Sequence, residues 1–79
     1  MRTLLIDNIS QDRFGRIKNK LRESGIELSG NQGQVAKFGA KIFYDYFGGT
    51  LKVDIESAPL FTSIDHFADE IEKNISSVQ

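Results

Sequence analysis

Residues Lys41–Glu56 read KIFYDYFGGTLKVDIE, two alternating runs on either side of Gly48-Gly49. A Gly-Gly pair is a favoured two-residue hairpin loop because both positions accept positive φ. Counting outward sets Phe47 opposite Thr50, Tyr46 opposite Leu51, Asp45 opposite Lys52, Tyr44 opposite Val53, Phe43 opposite Asp54, Ile42 opposite Ile55 and Lys41 opposite Glu56. One face then collects Ile42, Tyr44, Tyr46, Leu51, Val53 and Ile55. The other carries two pairs of unlike charge, Asp45 with Lys52 and Lys41 with Glu56, each adding about 0.2–1 kcal/mol when directly opposed. A one-residue slip would turn the whole apolar set to water, so the pattern specifies its own register. The rest of the chain is cover for that apolar face.

Upstream, Thr3 to Ile6 is a short β-prone run, punctuated by Asp7, Asn8 and Ser10 before a helical pattern begins. Ser10 or Asn8 can cap that helix, and Phe14, Ile17 and Leu21 recur on one stripe of it. Gly25 at the left-handed position past the end would bring Ile26 back onto Leu21 in a Schellman closure. Gly15, inside the helix, is a candidate for close approach of a neighbour. Ile26 and Leu28 alternate with Glu27 and Ser29 and read as a short strand, followed by a turn at Gly30-Asn31-Gln32-Gly33. From Val35 to Phe47 the alternation is continuous, with even positions from Ala36 onto the apolar face and odd positions, Val35 and Phe43 included, onto the other. Gly39 suggests a bulge or bend in this long strand.

Downstream, Ser57-Ala58-Pro59 ends the second hairpin strand, since proline cannot donate to a ladder. Thr62 or Ser63 caps a second helix in which Ile64, Phe67, Ala68, Ile71 and Ile75 form one amphipathic stripe. Residues 76–79 are expected to fray. The sequence thus specifies an α+β class, two-layer β-α-β-β-β-α fold: an antiparallel, hairpin-based sheet with both helices on one face and the opposite face open.

Seventy-nine residues make one small domain, 1–79, near the size where a single core is only just sufficient. Hydrophobic residues at 39% and charged residues at 27% are the balance of a folded protein and argue against disorder. The absence of Cys removes disulfides and thiolate metal sites, and fits a reducing compartment. No run approaches the roughly 18 apolar residues of a membrane span, and MRTLLIDN is too short an apolar start for a signal peptide. The expected location is cytoplasmic.

Charge is nearly balanced at −1 but unevenly placed. The first helix carries Arg13, Arg16, Lys18, Lys20 and Arg22 against Asp12 and Glu23; the second carries Asp65, Asp69, Glu70 and Glu72 against Lys73.

Catalytic constellations are incomplete. There is no thiol nucleophile, no Gly-x-Ser-x-Gly elbow and no serine with an evident base. Gly30–Gly33 lacks the lysine and the length of a phosphate-binding loop. His66 has only Glu70 at helical spacing, and Asp65, Asp69, His66 and Glu70 on one exposed helix fall short of a metal site. No enzyme activity, cofactor or metal is expected.

Two surfaces qualify as binding sites. On the open sheet face, Phe43 and Phe47 stand among Lys37, Lys41 and Lys52, with Val35 farther along. Asp45, Asp54 and Glu56 cancel the positive charge there, so the face suits a protein contact better than nucleic acid. On the first helix, Arg13, Arg16 and Lys20 share a flank that could neutralise phosphates, or could instead solvate the helix and pair with the acids of the second.

From Ser10 onward the element order is similar to that of the double-stranded-RNA-binding domain. That family opens its second helix with lysines, where this chain has Ser63-Ile64-Asp65-His66-Phe67-Ala68-Asp69-Glu70, and its glycine-proline-histidine loop is replaced here by Gly30-Asn31-Gln32-Gly33. Acids at that helix start would repel RNA, so no functional residue is carried over.

The expected function is therefore that of a small binding protein acting on a protein partner or on a second copy of itself, through Phe43, Phe47, Val35 and Lys52. Nucleic-acid binding through Arg13, Arg16 and Lys20, or through the lysines of the open face, ranks second.

Overall fold

The computed structural model describes residues 2–78. The order is β1 (Arg2–Ile6), α1 (Gln11–Glu23), β2 (Gln32–Lys37), β3 (Ala40–Phe47), β4 (Thr50–Ser57) and α2 (Ile64–Ser76). The strands form one antiparallel sheet in the order β1-β4-β3-β2, with β1 and β2 at its edges.

The β3–β4 hairpin has the expected register from Phe47↔Thr50 to Ile42↔Ile55. Gly48 and Gly49 sit at φ +60° and +84°, the twist that matches two right-handed strands. Beyond Ile42 the register shifts and Lys41 faces Ser57 instead of Glu56. The Lys41 ammonium nevertheless reaches the Glu56 carboxylate at 3.5 Å. Asp45 and Lys52 are opposite each other as expected, but the Lys52 ammonium lies 3.8 Å from Asp54, its same-face neighbour along β4.

The second strand is not where the alternation of Ile26 and Leu28 placed it. Residues 24–31 form an irregular connection, and β2 takes in Gln32 and Gly33, which had been assigned to a turn. The long strand expected from Val35 to Phe47 is in fact a second hairpin, folded at Phe38-Gly39 with Lys37 opposite Ala40. Both turn residues have positive φ, +54° and +88°. A bulky residue rarely adopts that conformation, which is why Phe-Gly does not read as a turn signal in the way Gly-Gly does.

This fold-back decides which residues share a face. Across the turn, odd positions of β2 pair with even positions of β3, so Val35 lies beside Ile42 on the helix-covered side. Val35 is half-buried against the core and is not part of the open face. The earlier placement of Val35 with Phe43 is corrected by this change of parity.

The helices behave largely as their caps and stripes require. The Ser10 and Ser63 hydroxyls accept the backbone N–H of Arg13 and His66, each at 3.1 Å. At the end of α1 the Gly25 N–H donates to Arg22 C=O and the Ile26 N–H to Leu21 C=O, both at 2.9 Å, the Schellman pattern with Gly25 at φ +88°. Gly15 has open space where a side chain would stand, so it serves no close approach. The end of α2 does not fray in the way expected: Val78 is half-buried, and its carbonyl accepts from Arg13 Nε at 3.1 Å.

Phe14, Ile17 and Leu21 of α1 and Phe67, Ala68, Ile71 and Ile75 of α2 close over Leu4, Ile42, Tyr44, Tyr46, Leu51, Val53 and Ile55 of the sheet. Burying one such large side chain stabilises the fold by about 1.5–3 kcal/mol. Two tyrosines tie connections to this core. The Tyr46 ring stacks on Phe14 with centroids 4.3 Å apart, and its hydroxyl donates to Ile9 C=O. The Tyr44 hydroxyl accepts from the Ser29 N–H at 2.7 Å and donates to the Ser29 carbonyl, pinning the 24–31 connection across β2.

Candidate protein-binding surfaces

Side chains that point away from the helices form the open face. β3 contributes Lys41, Phe43, Asp45 and Phe47, β4 contributes Lys52 and Asp54, and β1 contributes Thr3 and Leu5, which oppose Asp54 and Lys52. Phe47 is 83% exposed and Leu5 65%. Phe43 is only half-buried in character, with the Lys41 ammonium 5.5 Å from its ring centre. Thr3 donates to Asp54 at 2.7 Å, so the middle of this face is a polar row. Nearer the hairpin tip the apolar groups are divided by Lys52 and Thr50 of β4: Leu5 stands on the edge strand opposite Lys52, and Phe47 on β3 opposite Thr50. Of the residues expected here, Phe43, Phe47 and Lys52 are present, Val35 is on the other side, and Leu5 was missed because its strand had no register in the sequence.

A second apolar surface lies at the opposite end of the β3–β4 hairpin. The Phe38-Gly39 turn meets the β4–α2 connection there, joined by Leu60 N–H to Phe38 C=O at 3.1 Å. A Cβ on Gly39 would stand 3.3 Å from Leu60 Cγ, so the glycine makes this approach possible. Phe38, Leu60 and Phe61 are 74%, 72% and 107% exposed. Phe61 also has positive φ, +66°. Non-glycine residues in this region cost about 1–3 kcal/mol each and concentrate at functional sites.

Beside these three side chains is a small apolar cleft between the end of α1, β2, β3 and the start of α2. Ile26, Val35, Ile42, Pro59 and Phe67 line it, and Lys37 is the charged residue on its wall, its ammonium 5.2 Å from the Phe38 ring centre. Sequence reasoning did not find this site. Phe38 counted as one residue of a continuous strand, Leu60 and Phe61 were given no role between the Pro59 stop and the cap of the second helix, and only the fold-back brings Phe38 and Leu60 together.

The basic stripe of α1 is partly committed to the fold. Arg13 is half-buried on the end of α2, Lys20 is half-buried, and Arg22 pairs with Glu27 at 3.8 Å. The Lys18 ammonium lies 4.9 Å from the Phe14 ring centre. The acids of α2 have a partner that the sequence did not suggest: Arg2, on β1, reaches Asp65 at 2.8 Å and Asp69 at 3.6 Å. His66 is exposed, 3.9 Å from Glu70. Among the described residues no group of three or more His, Asp or Glu is arranged to hold a metal ion, and no helix is long and apolar enough to cross a membrane.

A polar hollow at the other end of the sheet is bounded by Asp7, Asn8, Ser10 and the Gly48-Gly49 tip. Two hydrogen bonds tie its walls together: Ile9 N–H donates to Gly49 C=O at 2.9 Å, and the Thr50 hydroxyl to Asp7 at 2.9 Å. No protein-family model, curated protein or solved structure matches the chain.

Proposed function

We propose that this chain is a non-catalytic protein-binding module whose contact surface is the apolar tip of Phe38, Leu60 and Phe61. The observation that carries this reading is that Phe38, which lines the cleft, and Leu60, bonded to it, stand with Phe61 as three large, exposed apolar side chains at one end of the sheet, two of them on backbone that costs energy to hold. Scattered exposed hydrophobics need no explanation, whereas a contiguous set rimmed by polar residues is the mark of an interaction site. Aromatic anchors are also the residues that dominate interface energetics. The partner this tip fits presents an apolar side chain to the cleft with a carboxylate beside it, because Lys37 supplies the positive charge on the wall.

Affinity capture with wild type, the double variant Leu60→Ser/Phe61→Ser, Lys37→Glu and the open-face variant Phe47→Ser tests the reading. A partner retained by wild type and Phe47→Ser, lost with the double variant and weakened by Lys37→Glu is expected. A partner lost with Phe47→Ser but kept by the double variant moves the site to the open sheet face and overturns the proposal. Retention of no partner by wild type also counts against it.

A further inference from the structure

Among the described residues, the outer edge of β2 faces no further strand and has few of the usual defences. Tyr46 N–H donates to Asn31 C=O at 2.7 Å, and Lys37 pairs with Ala40 across a two-residue turn. In an antiparallel ladder the hydrogen-bonded positions alternate, so 31, 33, 35 and 37 bond inward to β3. Gln32, Gln34 and Ala36 therefore turn their N–H and C=O groups outward. All the β2 residues except Val35 are exposed. Natural edges are blunted by charge, proline, bulges or a covering element, and in QGQVAK the sole charge is the last residue. The opposite edge differs: β1 begins with Arg2, held to α2, and buries Leu4.

We infer that β2 pairs with β2 of a second copy, antiparallel about a two-fold axis at Gln34, so that two sheets become one. Hydrogen bonding requires outward-facing residues to meet each other, and this register does so: Gln34 meets Gln34 on the axis, and Gln32 meets Ala36 on either side. The side chains suit a second copy. Val35 meets Gly33, where a Cβ is missing and the Tyr44 hydroxyl occupies the adjoining space. Lys37 falls opposite Asn31, so no like charges are opposed. A closed two-fold pairing of this kind uses the same patch on both chains and stops at two. The contact is a single strand pair, small against the roughly 1,200–2,000 Å² of a stable complex, so the dimer is concentration-dependent. This inference goes beyond the tip reading and does not rest on it.

Light scattering or sedimentation across a concentration series is the first test, with mass rising from one chain to two and stopping there. Gln34→Pro removes an outward N–H while leaving the bonds to β3 intact, a position where edge strands tolerate proline. It is expected to stay at one chain with an unchanged far-UV circular dichroism spectrum. The second test uses the lack of native cysteine. Hydrogen-bonded antiparallel residues lie about 5.5 Å apart, within the roughly 4.4–6.8 Å that a disulfide spans. Gln34→Cys should therefore oxidise to a covalent dimer at least about tenfold faster than Glu72→Cys on the exposed side of α2, because pairing raises the effective thiol concentration. One-chain mass up to about 1 mM, a folded Gln34→Pro that dimerises like wild type, or equal oxidation rates would overturn the inference. Masses running past two chains would do so as well, since they indicate β2 pairing with β1 of another copy. Should Gln34→Pro not fold, the cysteine comparison decides.

Discussion

Replacing a strand glycine by alanine ordinarily stabilises a protein by about 0.5–1 kcal/mol, because the unfolded chain loses freedom. Gly33→Ala is expected to do the reverse. The new Cβ would stand 3.0 Å from the Tyr44 hydroxyl and 3.3 Å from the ring carbon that bears it. That hydroxyl cannot retreat freely, since it accepts from the Ser29 N–H and donates to the Ser29 carbonyl. A shift of a few tenths of an ångström weakens both bonds. At about 0.5–1.5 kcal/mol each, their loss exceeds the backbone gain, for a net destabilisation of about 0.5–2 kcal/mol. In a domain this small, about 1 kcal/mol corresponds to a fall of roughly 4–8 °C in Tm.

The clash also predicts a coupling. Tyr44→Phe removes the nearest atom and the two bonds together, so Gly33→Ala in that background should be neutral or stabilising. The interaction energy in the double-mutant cycle should then be about 1–2 kcal/mol, well above the 0.3–0.5 kcal/mol scatter of independent sites. Urea denaturation followed by circular dichroism, at a protein concentration low enough that all four variants are single chains so that association does not contribute, gives all four corners. Stabilisation by Gly33→Ala in the wild-type background, or additivity within that scatter, would refute the role assigned to the Tyr44–Ser29 link.

Three further outcomes are expected. Phe38→Asn should raise stability by about 1 kcal/mol in the same denaturation assay, since asparagine tolerates the left-handed conformation, while weakening capture of the tip's partner. Ser63→Ala removes the cap of α2 and should cost about 0.5–2 kcal/mol, read as a lower urea midpoint with an unchanged slope. Arg2→Ala should cost less than about 1 kcal/mol, because the Asp65 and Asp69 side chains are well exposed, and the difference should shrink further in 1 M salt as screening shortens the reach of the pair.

Much of the fold was legible because it rests on local chemistry. Gly48-Gly49, the Ser10 and Ser63 caps, the Gly25 closure and the stripes of both helices are decided by residues close together in the chain, and the apolar face from Ile42 to Ile55 carries its own register. The positions of Leu28 and Val35 were not legible in this way. Alternation at Ile26 and Leu28 is satisfied equally by an irregular connection that buries Leu28, and counting straight through Phe38 fails because a two-residue turn switches parity: Lys37 and Ala40, three residues apart, share a face, so Val35 turns inward beside Ile42.

The candidate site shows the same division more sharply. Sequence by itself determined that Phe43 and Phe47 lie on the face away from the helices, because side chains alternate along a strand whichever neighbours it has. Tertiary structure alone decided that Phe38 is a turn residue at φ +54°, that Leu60 bonds to it, and that β2 is an edge strand. The physical reason is that a strained turn is stable only when distant contacts hold it. The contacts holding Phe38 come from a connection more than twenty residues further along the chain, as the Leu60 N–H to Phe38 C=O bond records.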